Sequence, residues 1–556
     1  MIVIFVFLLL GIINRSSPVQ SEDAHLASGI NHYMFDNFDM YRVNPPLVRC
    51  VSSLPVYLFC KIVPCWDRVN SHPFLRSEHF TGVDYVKANA SEIVFQFRLA
   101  RLTCLLFALL GAGICYLFAA ELYGKSARIV ALLLWCFSPF VLGHAATIMP
   151  DAHTASLAVA SVYCFWRWLK KPDFWNALIA GLVLGLAELC KFTLLVFYPL
   201  FILMWIIYRT PEFRNLTRTE WWRQGQQFTA IVLISIAVIN TGYLYEGTGK
   251  TLGSFRFQTA TLSGVDSLHD VPSGGGNRFN GTLLGYFPMP LPANYIQGID
   301  TQKLDFERGL PSYLRGEWSD HGWWYYFLYA LLIKTPLGTL GLFALAIFCS
   351  LFFGSTNAAW RDEMVVLLPG LAILVLVSSQ TGFSVHSRYV IPALPFFFVW
   401  MSKVGKAFEL RHRSLAVAVV LLLAWSIGNS LWVYPHCISY FNEIVGGPRN
   451  GPKHLLDSNI DWGQDLFQLE KWCKDHPEIE NLSVAYWGSY PIDLTSIPTK
   501  GIPPLGEPEL GWYAVSVNNL FGQEKQYDYF LDFEPAARIG YSIYIYQIGE
   551  EDLEQK

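Results

Sequence analysis

Glu22 and Asp23, with His25 two residues further on, follow an apolar segment at the start of the chain. Acids and an imidazole at a membrane surface are costly to desolvate, which marks them as candidates for chemistry. A carboxylate placed there can take a proton from an acceptor hydroxyl as a general base. The plainer reading is an acidic pair that opens a helix after Ser21, a natural N-cap. Asp151, in Ile148-Met149-Pro150-Asp151, stands at the end of a long apolar run. An active-site acid fits that place, and so does an acid favoured by a helix N-terminus.

Three cations sit where anions could be met. Lys191 interrupts the apolar stretch 182–200 at a turn between two segments. It can hold a lipid phosphate or simply reach the interface. Arg388, in Val385-His386-Ser387-Arg388-Tyr389, suits phosphate because its planar fork makes two parallel hydrogen bonds, and His386 stands beside it. Lys334 lies inside an apolar segment just before Thr335-Pro336, an expensive position unless it faces a polar cavity. The run Asp457-Ser458-Asn459-Ile460-Asp461-Trp462-Gly463-Gln464-Asp465 is densely polar. Asp461 and Asp465 there can cap a helix or shape a site. Glu246-Gly247-Thr248-Gly249-Lys250-Thr251 looks like a phosphate loop, but the first glycine of that motif would fall on Leu244.

The elements that must position these groups are membrane helices. Of 556 residues 53% are hydrophobic and 15% charged, against roughly 25% charged in soluble domains. A net charge of -4 gives no footing for nucleic-acid binding. Apolar segments fall at 2–13, 101–120, 129–149, 152–169, 176–190, 192–208, 228–245, 323–352, 364–383, 389–402 and 414–434. At ~20 residues per crossing, these predict a polytopic α-helical membrane protein with about eleven transmembrane helices. The first segment has no basic residue before it and reads as a retained helix rather than a cleaved signal peptide. Lys125, Arg128, Arg167, Lys170, Lys171, Arg209, Arg214, Arg218, Arg223, Arg361, Lys403, Lys406, Arg411 and Arg413 fall in one alternating set of short loops, predicted to be cytoplasmic. Three longer segments, 14–100, 246–322 and 435–556, then face outward.

In the first, an apolar stripe from Leu47 to Leu58 predicts a helix lying on the membrane surface. The second is rich in Gly and Pro and reads as a long loop. The third predicts a small α/β domain, with a helix at Leu466–Cys473 and strands at 482–487, 512–517 and 542–548. The chain therefore divides into a transmembrane part, 1–434, and an outer domain, 435–556. The 11 cysteines show no zinc spacing, and those outside the apolar runs, Cys50, Cys60, Cys65, Cys437 and Cys473, leave a disulfide open.

Taken in order, these stretches resemble the polyprenyl-phosphate-sugar-dependent glycosyltransferases of the GT-C superfamily. The similar branch holds the protein O-mannosyltransferases and the lipid A aminoarabinose transferase. The resemblance lies in Ser21-Glu22-Asp23-Ala24-His25, Asn44-Pro45-Pro46-Leu47, Met149-Pro150-Asp151, Leu189-Cys190-Lys191, Lys334-Thr335-Pro336, Ser387-Arg388-Tyr389 and Ser439-Tyr440-Phe441-Asn442-Glu443. The family's Asp-Glu pair becomes Ser21-Glu22 or Glu22-Asp23, depending on register.

The resemblance implies sugar transfer from a polyprenyl-phosphate-linked monosaccharide to an extracytoplasmic protein, lipid or glycan. The enzyme would be multi-pass in the plasma (inner) membrane, with its site facing the periplasm or another extracytoplasmic space. Glu22 or Asp23 would act as base, with Asp151 as a further catalytic acid that orients the acceptor or binds a metal. His25, Asn44, Lys191, Lys334, His386, Arg388, Asp461 and Asp465 would bind substrate. A divalent metal ion is the one cofactor such carboxylates could hold, and no spacing identifies its ligands. Two other readings use the same residues: a transporter or flippase for a lipid-linked precursor, and an inactive membrane scaffold. A transporter would be expected to show inverted repeats, which the sequence lacks.

Overall fold

The computed structural model describes residues 1–62, 76–212 and 216–554. Cys65 and Arg214 lie outside these residues. All eleven apolar segments are helical. Five described helices are long and apolar enough to cross a membrane: Ile93–Tyr123, Phe192–Glu212, Arg218–Gly242, Ser387–Glu409 and Arg413–Val433. Two bent pairs raise the number to seven, Lys125–Cys136 with Pro139–Ala145 and Tyr326–Lys334 with Leu337–Phe352.

Local sequence explains the breaks. Gly124, at φ 101, ends the helix Ile93–Tyr123. Pro139 and Pro150 each start a helix at the position where a missing N–H costs nothing. Thr217 and Glu220 form a capping box at the start of Arg218–Gly242. That helix packs on Phe174–Glu188 through Gly181 and Gly185. A Cβ on Gly181 would come within 2.8 Å of the Ile231 carbonyl. Small residues four apart let two apolar helices approach this closely. One large core of aromatic and aliphatic side chains joins the spans.

The segments between the apolar runs are more regular than the sequence predicts in one place. The Gly- and Pro-rich second segment ends in a sixteen-residue helix, Ala293–Arg308, where a loop was expected. Its buried Ala293, Ile296 and Leu304 follow helical spacing, and Gly309 stops it. A short hairpin follows, β1 (Ser312–Leu314) with β2 (Glu317–Ser319). The predicted surface stripe is the helix Leu47–Ile62, with Leu54, Leu58 and Ile62 exposed.

After the last apolar helix come β3 (Leu482–Ala485), β4 (Thr499–Gly501), β5 (Gly511–Ser516), β6 (Ala537–Ile539) and β7 (Ile543–Ile548). They form one mixed sheet in the order β4-β3-β5-β7-β6. β3 runs parallel to β4 and β5, and β7 runs antiparallel to β5 and β6. The helix Leu466–Asp475 lies in the predicted place. The sheet does not keep its core to itself. Leu466, Leu482, Ala514 and Ile545 share an apolar cluster with Leu26 and Ile30 of the helix Glu22–Phe35 and with Tyr85 and Val86. Tyr513 and Val515 share another with Phe327 and Ile333 at the end of a membrane segment. The segments 14–100 and 435–556 are thereby held against each other and against the spans.

Candidate active site

Where these segments meet, a cavity of about 830 Å³ opens. Its walls come from the first outer segment (Ser21, Tyr41, Asn44), the start of the helix Pro150–Lys170, the turn at Lys191, the helix Ala293–Arg308, the segment 385–389 and the 457–462 run. Residues far apart in sequence meet there because the helices carrying them all end at this level.

At its centre is a buried charge cluster. Asp151 follows Pro150 in the first turn of its helix, and Lys191 Nζ donates to Asp151 Oδ1 at 2.5 Å. Arg388 Nε lies 3.5 Å from Asp151 Oδ2. Aromatic rings back both cations. Lys191 Nζ sits 4.3 Å from the Tyr389 ring centre, and the Arg388 guanidinium lies 4.2 Å over Trp462. Asp151 balances one of the two cations, and Asp457, next to Arg388 on the same wall, balances the other, while both cations keep N–H groups on the cavity. Fixed lysine and arginine N–H donors of this kind can donate to a phosphate oxygen.

Beside Arg388, His386 Nδ1 lies 2.9 Å from Asp457 Oδ1 and 3.0 Å from the Ser458 hydroxyl, and Arg388 also donates to that hydroxyl. Burial opposes a charge on Asp457. The neighbouring His386 and Arg388 outweigh it and hold the carboxyl well below the usual carboxylate range. Burial, then Arg388, lowers the pKa of the His386 ring.

Asp151, Asn44, Lys191, His386 and Arg388 line one cavity. Six other candidates do not line it. Glu22 is fully buried and accepts four hydrogen bonds. Two come from Arg101, one from Val19 N at 2.8 Å and one from Ile148 N at 2.8 Å. Ser21, its neighbour, turns to the cavity instead, at φ 76. Asp23 is buried beside Gly82, and burial pushes its carboxyl up to about 6. His25 packs 4.3 Å from the Tyr41 ring, and neither ring nitrogen has a hydrogen-bond partner among the described residues.

Lys334 ends the helix Tyr326–Lys334 at a 110° bend. Its ammonium donates to the carbonyls of Ile438 (3.0 Å), Tyr440 (2.9 Å) and Asn459 (2.5 Å). Asp461 is buried and accepts from Gly463 N at 3.2 Å. Asp465 accepts from Ser542 at 2.6 Å and meets His436 at 3.0 Å, tying three chain segments together. Among the described residues, no group of three or more His, Cys, Asp or Glu side chains is placed to hold a metal ion. Of the ten described cysteines, nine are free thiols: Cys50, Cys104, Cys115, Cys136, Cys164, Cys190, Cys349, Cys437 and Cys473.

Sequence reasoning passed over Asp457, Arg101 and the pair Arg76–Asp305. Arg76 Nη1 grips Asp305 at 2.7 and 2.6 Å on the cavity wall. A signal for Arg101 was present: an arginine at the head of an apolar helix needs a partner.

Residues 83–240 match the family model described as dolichyl-phosphate-mannose-protein mannosyltransferase. No curated protein matches the chain significantly. Among solved structures, the chain is similar to ArnT from Cupriavidus metallidurans bound to undecaprenyl phosphate. Identity is 13%, with 98% of this chain and 97% of that one covered, and the TM-score is 0.46. It is also similar to the oligosaccharyltransferase AglB from Archaeoglobus fulgidus in complex with an inhibitory peptide and a dolichol-phosphate. Identity is 10%, with 93% of this chain and 69% of that one covered, at a TM-score of 0.43. The family match covers under a third of the chain, in the stretch that carries Asp151 and Lys191.

Proposed function

We propose that the chain is an inverting glycosyltransferase that moves a monosaccharide from a polyprenyl-phosphate donor to an extracytoplasmic protein, lipid or glycan. The observation that carries this reading is the pair of cations Lys191 and Arg388 gathered on Asp151, on a cavity at the ends of the apolar helices. The leaving group of such a donor is a lipid phosphate. It departs as a stable anion and needs fixed cations more than a proton. Lys191 and Arg388 supply them. Asp151 keeps the two cations together and pre-aimed, so that little reorganisation is left for the moment of bond cleavage. A single displacement at the anomeric carbon inverts its configuration, through an oxocarbenium-like state.

The basic loops support the proposed orientation and a count of eleven crossings. Lys403 meets Glu363 at 2.7 Å, Arg361 meets Glu212 at 2.9 Å, and Glu409 accepts from Ser126 N at 2.8 Å, so these loops gather at one end. None of these residues is on the cavity wall. By the positive-inside rule that end is cytoplasmic and the cavity is extracytoplasmic, in the plasma (inner) membrane of a cell envelope. Residues 1–434 would hold the donor, and 435–556 would close the cavity from outside through Asp457 and Trp462. Glu22 belongs to the scaffold, pinning the loop that presents Ser21. Lys334, Asp461 and Asp465 likewise brace the outer segment.

The test is release of labelled sugar from undecaprenyl-phosphate hexose and pentose donors by the purified chain, followed by thin-layer chromatography. The expected result is turnover of at least one donor, reduced about 10²- to 10³-fold in Lys191→Ala and in Arg388→Ala. Turnover that survives both substitutions refutes the assigned roles. Vesicle-to-vesicle movement of intact donor without covalent product would favour a transporter.

A further inference from the structure

Among the described residues, no carboxylate from the segment 14–100 lines the cavity. Ser21 occupies the wall where the resemblance would put an acid, and Glu22 is committed to Arg101. An acceptor hydroxyl still has to lose its proton as it attacks. The remaining acids and imidazoles on the wall can be weighed by their partners, and Glu524 is exposed and accepts from Gln526 Nε2 at 2.5 Å. Asp151 faces two cations. Asp305 is gripped through both oxygens by Arg76. His79 has Nε2 3.5 Å from Arg76 Nη2, so a proton arriving there would meet a guanidinium.

His386 is arranged differently. Nδ1 is fixed by Asp457 and Ser458, at 2.9 and 3.0 Å. The ring is held edge-on by Phe383 and Tyr389, at centroid distances of 6.0 and 5.3 Å. Nε2 makes no hydrogen bond among the described residues and is not among the buried atoms left without a partner, so it opens toward the cavity that the ring lines. A histidine with one nitrogen anchored by a carboxylate and the other open is the usual layout of a general base.

We propose that His386, oriented by Asp457, is the catalytic base of this chain, standing in for the acid that Ser21 replaces. The acceptor's O–H proton passes to His386 Nε2 as the acceptor oxygen bonds to the anomeric carbon. The bond from that carbon to the phosphate oxygen breaks, and its electron pair leaves with the polyprenyl phosphate beside Lys191 and Arg388. The imidazolium then returns its proton to solvent. Asp457 is a positioning residue: it sets the tautomer with Nδ1–H and stabilises the cation that forms. The charged groups that face the ring are Arg388 on its own segment, Asp457 on the outer segment and Asp151 on the helix Pro150–Lys170.

This inference rests on the glycosyltransferase reading, and the experiment separates the two. Sugar transfer from undecaprenyl-phosphate hexose and pentose would be followed for wild type, His386→Ala, His386→Gln and Asp457→Asn, with donor affinity measured in parallel. The expected result is a fall in kcat of about 10²- to 10⁴-fold for both His386 variants, with donor Kd within threefold of wild type. Imidazole at tens of millimolar should restore part of the rate to His386→Ala alone. Asp457→Asn should lose less and move the acidic limb of the kcat profile to lower pH. An active wild type whose His386 variants keep rates within fivefold overturns the base assignment. So does a loss confined to KM with no response to imidazole. A folded wild type that consumes none of these donors overturns the glycosyltransferase reading itself, and the base assignment with it.

Discussion

Glu22→Gln separates a scaffold from a reacting group. The Glu22 carboxylate is fully buried and Arg101 is 2% exposed. Four donors converge on the carboxylate: Arg101 Nε at 3.0 Å, Arg101 Nη2, Val19 N and Ile148 N. Glutamine keeps one accepting oxygen and turns the other corner into an NH₂ that faces donors. Arg101 keeps one hydrogen bond to that oxygen and those to the Ser16 and Ser17 carbonyls, both at 2.9 Å, but its buried charge has no counterion. Removing one partner of a buried ion pair costs about 3–5 kcal/mol, because the other charge stays in the interior uncompensated. The loss should concentrate where the bonds end, at Val19 just before Ser21 and at Ile148 just before Asp151. Activity should therefore fall along with stability. The assay is unfolding of the purified chain by SDS titration in mixed micelles, run beside sugar release. Arg101→Met with Glu22→Met completes a double-mutant cycle, and the double variant should lose less than the sum of the two single variants. A Glu22→Gln protein within about 0.5 kcal/mol of wild type, yet inactive, would refute the scaffold argument and make Glu22 a reacting group.

Burial raises the Asp23 carboxyl from 3.8 to about 6, so the folded state holds its proton more tightly than the unfolded chain. That contribution to stability is complete below 3.8 and is lost as pH rises through 6. Asp23→Asn should thus stabilise the protein by about 3 kcal/mol at pH 7.5 and by far less at pH 4, and equal effects at both pH values would contradict this. Lys334→Met leaves three carbonyls without their donor and should cost about 3 kcal/mol in the same titration, with donor KM unchanged. A stable Lys334→Met protein with a raised KM would put Lys334 back in the donor site.

Along the chain, what is local was legible. Apolar runs in a membrane can satisfy their backbone only by coiling, and all eleven are helical. Alternating β-branched and aromatic residues marked β3, β5 and β7 to within a residue or two. The motifs that place Asp151, Lys191 and Arg388 at helix ends were readable for the same reason, since a helix end is a local event. The helix Ala293–Arg308 escaped because glycines and prolines crowd the sequence just before it, while its few apolar residues are spread thinly over four turns. What one residue decides against its neighbour is not local. Ser21 and Glu22 are adjacent, yet one lines the cavity and the other is buried with Arg101, 79 positions away. Asp457 and Asp461 stand in one polar run, yet only Asp457 faces His386 on the cavity. Lys334 resembled a substrate cation until three carbonyls from residues more than a hundred positions on closed around it. Helices and strands follow from the period of the side chains. Which way a charged side chain turns depends on which distant partner offsets its desolvation, and only the packed chain brings that partner within reach.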